Sequence, residues 1–529
     1  MLLINGKIYT FDEQNTVAQA VAFSNGSIVA VGSSGDLIKK FPGVKTIDLQ
    51  GKTVLPGLVD GHAHILGEGG RIMNLDIVGT SSPEQIAEMV AKRTKDALPG
   101  SWVLGRGWDQ NDWEKKVFPT KEVLDKVAPN NPVMLRRVDG HAVWVNSKAL
   151  ELAGITSRTQ DPEGGKIMRD AEGNPTGVFI DNGLDLVDKV VPPLSDAEVE
   201  QRLLASMNEC ASLGLTQVHD MGVTIQTLRV MKKIIDEGKS PIRIYAMIEG
   251  TGETWDYYLK HGPEIGYGNN MLSVRGIKMY IDGALGSRGA ALLEDYSDDA
   301  GNKGLLLNSE SKLDSVCKQA AEHGFQVCTH AIGDRGNNIV LNTYEKNLKY
   351  VTGGGASLRW RVEHCQVLAP TDIPRFTALG IIPSMQPTHA TSDMYWAEER
   401  LGTERAKYAY AWRSLIDSHS IVIGGSDFPV ERVNPLLGIY AGATRTDIKG
   451  NPEGGWHPEQ KMTREEAVKA FTLWPAFGSF EEKNKGTIEV GKWADVTVLT
   501  KDIMTVPQEE IFSTMVDMTI VGGRVVFSR

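Results

Sequence analysis

The chain has 529 residues; at roughly 150 per domain, it predicts several units or one large barrel with attachments. With 56 basic and 67 acidic residues the net charge is −11, and no basic stripe stands out, so nucleic acid is excluded as an expected partner. No apolar run reaches the ~20 residues of a membrane span, no basic-then-apolar leader opens the chain, and Cys210, Cys317, Cys328 and Cys365 form no CxxC pair. A cytoplasmic chain without membrane contact or disulfides is expected.

The first fifty residues read as short strands. "FSNGSIVAVG" is a hairpin candidate with Asn25-Gly26 at its turn. The end of the chain is similar: "GTIEVGKWADVTVLT" and "VDMTIVGGRVVFSR" are strand-like. Neither end can build a core alone, so residues 1–53 and 485–529 are expected to meet in one small composite β-sandwich. Between them, residues 54–99 and 194–484 alternate. Segments such as "SPEQIAEMVAKRTKDAL", "IQTLRVMKKIIDEG" and "SKLDSVCKQAAEHG" have helical spacing, and "LTQVHDMG", "SVRGIKMYIDG", "FQVCTHAIGD", "RWRVEHCQ", "GIIPSMQP" and "SIVIGGSDFP" read as strands. The rhythm predicts an α/β chain built on a (β/α)8 TIM-like barrel. Residues 100–193, rich in Trp, Asp, Gly and Pro, break it and read as an inserted strand-and-loop region near the barrel mouth.

Polar residues recur where barrel strands would end: His62 and His64 in "VLPGLVDGHAH", Lys278, His330, His364 and Asp427. Strand C-termini of such a barrel converge on one face. Residues i and i+2 share a strand face, so His62 and His64 can point together, with Asp60 on the same side; Lys278, Tyr280 and Asp282 form a like set. Imidazole and carboxylate without thiol suit Zn²⁺ or a similar divalent ion. An HxH pair alone is ambiguous, and the lesser reading of Asp427 is a helix N-cap before Pro429. The convergence of several such residues makes the case.

The stretches "LPGLVDGHAH", "IKMYIDGALGSR", "THAIGD", "VEHCQ", "GGSDFPV" and "GKWADVTVL" together resemble the metal-dependent amidohydrolase superfamily, family 3, and its N-substituted formamide deformylase-like branch. The resemblance implies that His62 and His64 hold one metal, His330 and His364 a second, and a carboxylated Lys278 bridges them. It implies that Asp427 ligates the first metal and shuttles the proton in hydrolysis of an amide-type C–N bond by metal-activated water. One zinc with an uncarboxylated, hydrogen-bonding Lys278 is the alternative. The expected substrate is a small N-substituted amide or formamide; a cyclic amide, N-acyl amino acid or carbamate suits the same core.

Trp108 and Asp109 are candidates to wall the substrate pocket, and Gln386 and His389 follow the seventh strand, where they would face substrate. His141, Asp282 and Arg288 read either as substrate contacts or as loop ties, and His219 as a packed histidine. The rival class is a non-catalytic protein that keeps the metal structurally; structural zinc sites are usually closed by four ligands, whereas this set is larger and sits at a barrel mouth. A homodimer is the base-rate expectation.

Overall fold

A computed structural model describes all residues except Asp96, Asp139, His141 and Glu163. The chain forms two compact units, Met1–Ile65 with Met207–Arg529, and Leu66–Ser206.

The first unit contains the barrel. Its strands are β1 (Leu58–Ala63), β2 (Leu215–Val223), β3 (Arg243–Glu249), β4 (Leu272–Tyr280), β5 (Gln326–Ala331), β6 (Arg361–His364), β7 (Ile382–Met385) and β8 (Ile423–Gly424), paired in that order and all parallel. Their near-continuous burial is what parallel strands covered on both faces require. Beyond β8 the ring is drawn shut by backbone bonds from the Asp427 amide to the His62 carbonyl (2.7 Å) and from the His64 amide to the Phe428 carbonyl (2.9 Å). The expected (β/α)8 architecture is therefore present. Among the elements that the sequence reading did not name are β3 and the helix Asp334–Leu348 that follows β5.

Both chain ends meet in the same unit. A four-stranded sheet orders Ser27–Gly32, Ala20–Ser24, Leu2–Ile4 and Thr46–Asp48; a six-stranded sheet joins Thr53–Pro56 to Val496–Leu499 from the far end of the chain. Leu3, Val21 and Ile28 of the first sheet share a core with Ile8, Val54, Val496 and Ile520 of the second, which is the sandwich. The hairpin turn falls at Asn25 (φ 49°) and Gly26 (φ 79°), the paired left-handed residues that a two-residue turn between twisted strands demands.

The second unit is built on a six-stranded sheet ordered Gly165–Arg169, Pro175–Asp181, Ala142–Val145, Val133–Arg137, Val103–Trp108 and Leu75–Asp76. Trp108, Trp113 and Trp144 pack one of its cores, and Phe179, Val143 and Ile167 another. All four cysteines are free and buried. Among the described residues, no helix is long and apolar enough to cross a membrane.

Candidate metal centre

The ends of β1, β4, β5, β6 and β8 bring the predicted ligands together. Histidine rings follow one another at contact distance: His64 to His62 at 5.8 Å, His62 to His364 at 4.7 Å, and His364 to His330 at 4.5 Å between centroids. Asp427 Oδ1 lies 3.4 Å from His62 Nε2 and 3.2 Å from His64 Nε2. Lys278 Nζ lies 3.2 Å from His62 Nε2. Ligand atoms of His62, His364 and Asp427 all fall within 4.8 Å of one another. His62, Lys278, His364 and Asp427 are buried, whereas His64 is partly exposed.

The rings are aimed. His62 Nδ1 meets Glu363 Oε2 at 2.6 Å, His64 Nδ1 meets the Met221 carbonyl at 3.0 Å, and His364 Nδ1 meets Gln386 Oε1 at 2.8 Å. Each partner is an acceptor, so each Nδ1 carries the proton and each Nε2 presents its lone pair. Burial, then the Lys278 charge, pushes His62 down to about 4 and His330 down to about 3, so both are neutral at physiological pH. Burial also pulls Lys278 below its usual range. The buried Nε2 atoms of His330 and His389 find no hydrogen-bond partner among the described residues. Neutral imidazoles, a carboxylate and unsatisfied buried nitrogens fit a divalent ion.

The other predicted residues divide. Gln386 positions His364, and His389 stacks on His364 (centroids 6.0 Å, planes 11° apart) with Nε2 3.9 Å from Asp427 Oδ2. Asp282 is spent on the backbone, accepting from the amides of Ala291, Ile332 and Gly333. Arg288 pairs with Asp298 on a loop. Trp108 is fully buried in the second unit, its indole N–H donating to the Leu135 carbonyl at 2.8 Å. Asp109 caps the turn Gln110–Asp112 and pairs with Arg137. His141 lies outside the described residues. Asp427 caps no helix: the next one, Pro435–Thr444, is capped by Asn434, and Asp427 itself takes a left-handed φ of 60°.

Several participants were given no role by the sequence reading, which placed Asp60 beside the histidines and passed over Arg361 and Glu363. Asp60 accepts from Ser426 Oγ (2.6 Å), the Ser426 amide (3.1 Å) and the His62 amide (3.0 Å), stitching β1 to the turn that carries Asp427. Gly425 permits that approach, since a Cβ there would lie 2.6 Å from the His62 nitrogen. Arg361 and Glu363 lie fully buried inside the barrel. Their signal was present: two charges at i and i+2 in a strand with no exposed face.

A family profile described as "Amidohydrolase family" matches residues 45–527. The protein YtcJ of Bacillus subtilis (strain 168) is 34% identical over 533 residues, covering 99% of this chain and 98% of its own. The N-substituted formamide deformylase of Arthrobacter pascens is 28% identical over 554 residues, covering 100% and 98%. The crystal structure of an uncharacterized metal-dependent hydrolase from Pyrococcus horikoshii OT3 matches with a TM-score of 0.81 at 26% identity, covering 96% of this chain and 98% of that one. The chain belongs to the amidohydrolase family and is a metal-dependent hydrolase of C–N bonds other than peptide bonds.

Proposed function

We propose that the enzyme hydrolyses a small N-substituted amide or formamide, with Asp427 as proton carrier and one or two zinc ions as the metal. The observation that carries the reading is the placement of Asp427. One carboxylate oxygen sits among the Nε2 atoms of His62 and His64, and the other faces His389. A bound divalent ion supplies Lewis acidity and makes water a competent nucleophile near neutral pH.

The chain's own residues do the rest. His62, His64, His330 and His364 would hold the metal, with Lys278 reaching the same ring edge of His62. If Lys278 is carboxylated, its neutral amine adds carbon dioxide and releases a proton, and the resulting carbamate becomes an anionic ligand; burial that favours the neutral amine supports this step. Asp427 takes the proton from the attacking water and returns it to the leaving nitrogen. His389, with Nε2 3.9 Å from Asp427 Oδ2, would contact the substrate, and Gln386 would keep His364 aimed. The formamide class is supported by likeness to the Arthrobacter pascens protein along the whole chain. Four free thiols support a cytoplasmic location.

Asp427→Asn tests the reading. Metal content by elemental analysis should persist, while turnover across a panel of N-substituted formamides and amides falls by about 10²–10⁴, the usual worth of a positioned acid–base group. Turnover retained within a few-fold removes Asp427 from the role.

A further inference from the structure

We propose that Arg361 and Glu363 are a positioning pair that fixes the tautomer and aim of His62 and thereby sets metal affinity. The inference rests on the reading of His62 as a ligand. Both side chains are fully buried inside the barrel. Glu363 Oε2 lies 2.6 Å from His62 Nδ1, and Arg361 grips the same carboxylate, with Nε 2.7 Å from Oε1 and Nη2 3.0 Å from Oε2. Arg361 Nη2 also reaches the Gly61 carbonyl at 2.6 Å and Ser384 Oγ at 2.8 Å, and Nη1 meets His219 Nδ1 at 3.0 Å. Two independent ties therefore converge on one residue. Glu363 holds the ring of His62, and Arg361 holds the peptide just before it.

A buried ion pair does not explain itself by stability. Desolvation of two charges is expensive, and a hydrophobic replacement of similar volume is often neutral or stabilising. Within a barrel interior that apolar side chains ordinarily fill, the pair calls for a local reason. The reason offered by the geometry is the proton on Nδ1. A carboxylate can only accept there, so the ring is confined to the tautomer whose Nε2 lone pair faces Asp427 Oδ1 at 3.4 Å. Arg361 neutralises that carboxylate: its Nη2 shares Oε2 with the ring, and its Nε stands 2.7 Å from Oε1. The close fit of Gly61, where a Cβ would lie 2.2 Å from Ile423 Cγ2 and 2.7 Å from the Gly424 carbonyl oxygen, leaves the backbone little room to re-aim His62 by moving.

Glu363→Gln alone strands the Arg361 charge, so the decisive variant is Arg361→Met/Glu363→Gln, which removes both charges. Zinc affinity is read by competition with a chelator on metal-stripped protein, and folding by the thermal midpoint of the same preparation. The double variant should stay folded and bind zinc roughly 10–100-fold more weakly, the usual cost of losing such a partner. A folded double variant with wild-type zinc affinity overturns the proposal. The second readout uses the wild-type protein and decides the matter if neither variant folds: in ¹⁵N-histidine NMR, with the His62 signal assigned by its loss in His62→Gln, Nδ1 should carry the proton and Nε2 none. A proton on Nε2 in metal-free protein overturns it. Undiminished zinc binding in His62→Gln would instead refute the ligand reading, which keeps the two failures distinct.

Discussion

Asp282 separates a substrate contact from a structural tie, and its removal should be read in the fold. Its carboxylate, fully buried just beyond β4, accepts three backbone bonds: Oδ1 from Ile332 at 3.0 Å, and Oδ2 from Ala291 at 2.9 Å and Gly333 at 2.8 Å. Ile332 and Gly333 directly follow β5, which carries His330, so the carboxylate clamps the loop after β4 to the end of β5. Asp282→Ala leaves three buried N–H groups without their acceptor. At about 1–3 kcal/mol each the upper bound is about 9 kcal/mol; water entering the vacated volume should reduce this to about 3–5 kcal/mol. Asp282→Asn restores part of this: its oxygen in the Oδ2 position keeps the Ala291 and Gly333 bonds, while its NH₂ end faces the Ile332 amide, which also donates. The assay is hydrogen exchange by mass spectrometry on peptides covering 284–293 and 326–340, with the thermal midpoint alongside. A local loss of about 3 kcal/mol speeds exchange of the Ile332 and Gly333 amides by roughly 100-fold. Unchanged exchange together with a raised KM would refute the clamp and make Asp282 a substrate contact.

The remaining predictions follow from the same geometry. Gly425→Ala places a methyl 2.6 Å from the His62 backbone nitrogen and 2.9 Å from Asp60 Oδ1, a carboxylate tied by its hydrogen bonds to Ser426 and His62; a loss of about 1–3 kcal/mol and depleted metal are expected by thermal melting and elemental analysis. Trp108→Ala empties a core position of the second unit and should cost about 3–5 kcal/mol in calorimetry while metal content per folded chain is unchanged. His389→Ala should keep its metal and lower kcat/KM by about tenfold or more in steady-state kinetics, since the ring faces Asp427 and its buried Nε2 has no hydrogen-bond partner among the described residues.

Much of the architecture could be read because the barrel writes itself as a repeated pattern. Short apolar strands ending in His, Lys or Asp, separated by helical spacing, pointed to one mouth. β3 obeys the same pattern in "RIYAMIE" but ends without an imidazole, and a search guided by ligands passes over it. His62 and His64 were legible because residues i and i+2 share a strand face, and both rings do reach Asp427 Oδ1. Glu363 was passed over despite the paired charges Arg361 and Glu363, because strand logic sends neighbouring residues to opposite faces and the ligand reading takes His364 to the mouth. Asp282 looked like part of a face with Lys278 and Tyr280; its fate depends on amides some fifty residues away, which no local pattern encodes. Trp108 had the composition of a pocket wall, but its indole already has a buried backbone acceptor.

The left-handed residues explain how one strand can serve two histidines. His364 has φ 73° and Cys365 φ 46°, and Asp427 at the neighbouring mouth position has φ 60°. Such backbone costs of order 1–3 kcal/mol per non-glycine residue, and His and Asp are among the side chains that tolerate it best. The conformation is held from outside: the Cys365 amide bonds the Ala331 carbonyl at 3.1 Å, and the Asp427 amide bonds the His62 carbonyl at 2.7 Å. Because the chain turns at His364, consecutive residues reach one centre. Glu363 stands behind His62 at Nδ1, while His364 packs its ring against that of His62 at 4.7 Å. A straight strand would place two inward side chains two residues apart, about 6.6 Å along its axis, and could not put an acceptor and a ligand on the same imidazole from adjacent positions. The strain is thus located where β6 and β8 leave the sheet, and its structural return is a centre in which the aim of His62 is set by the residue next to His364.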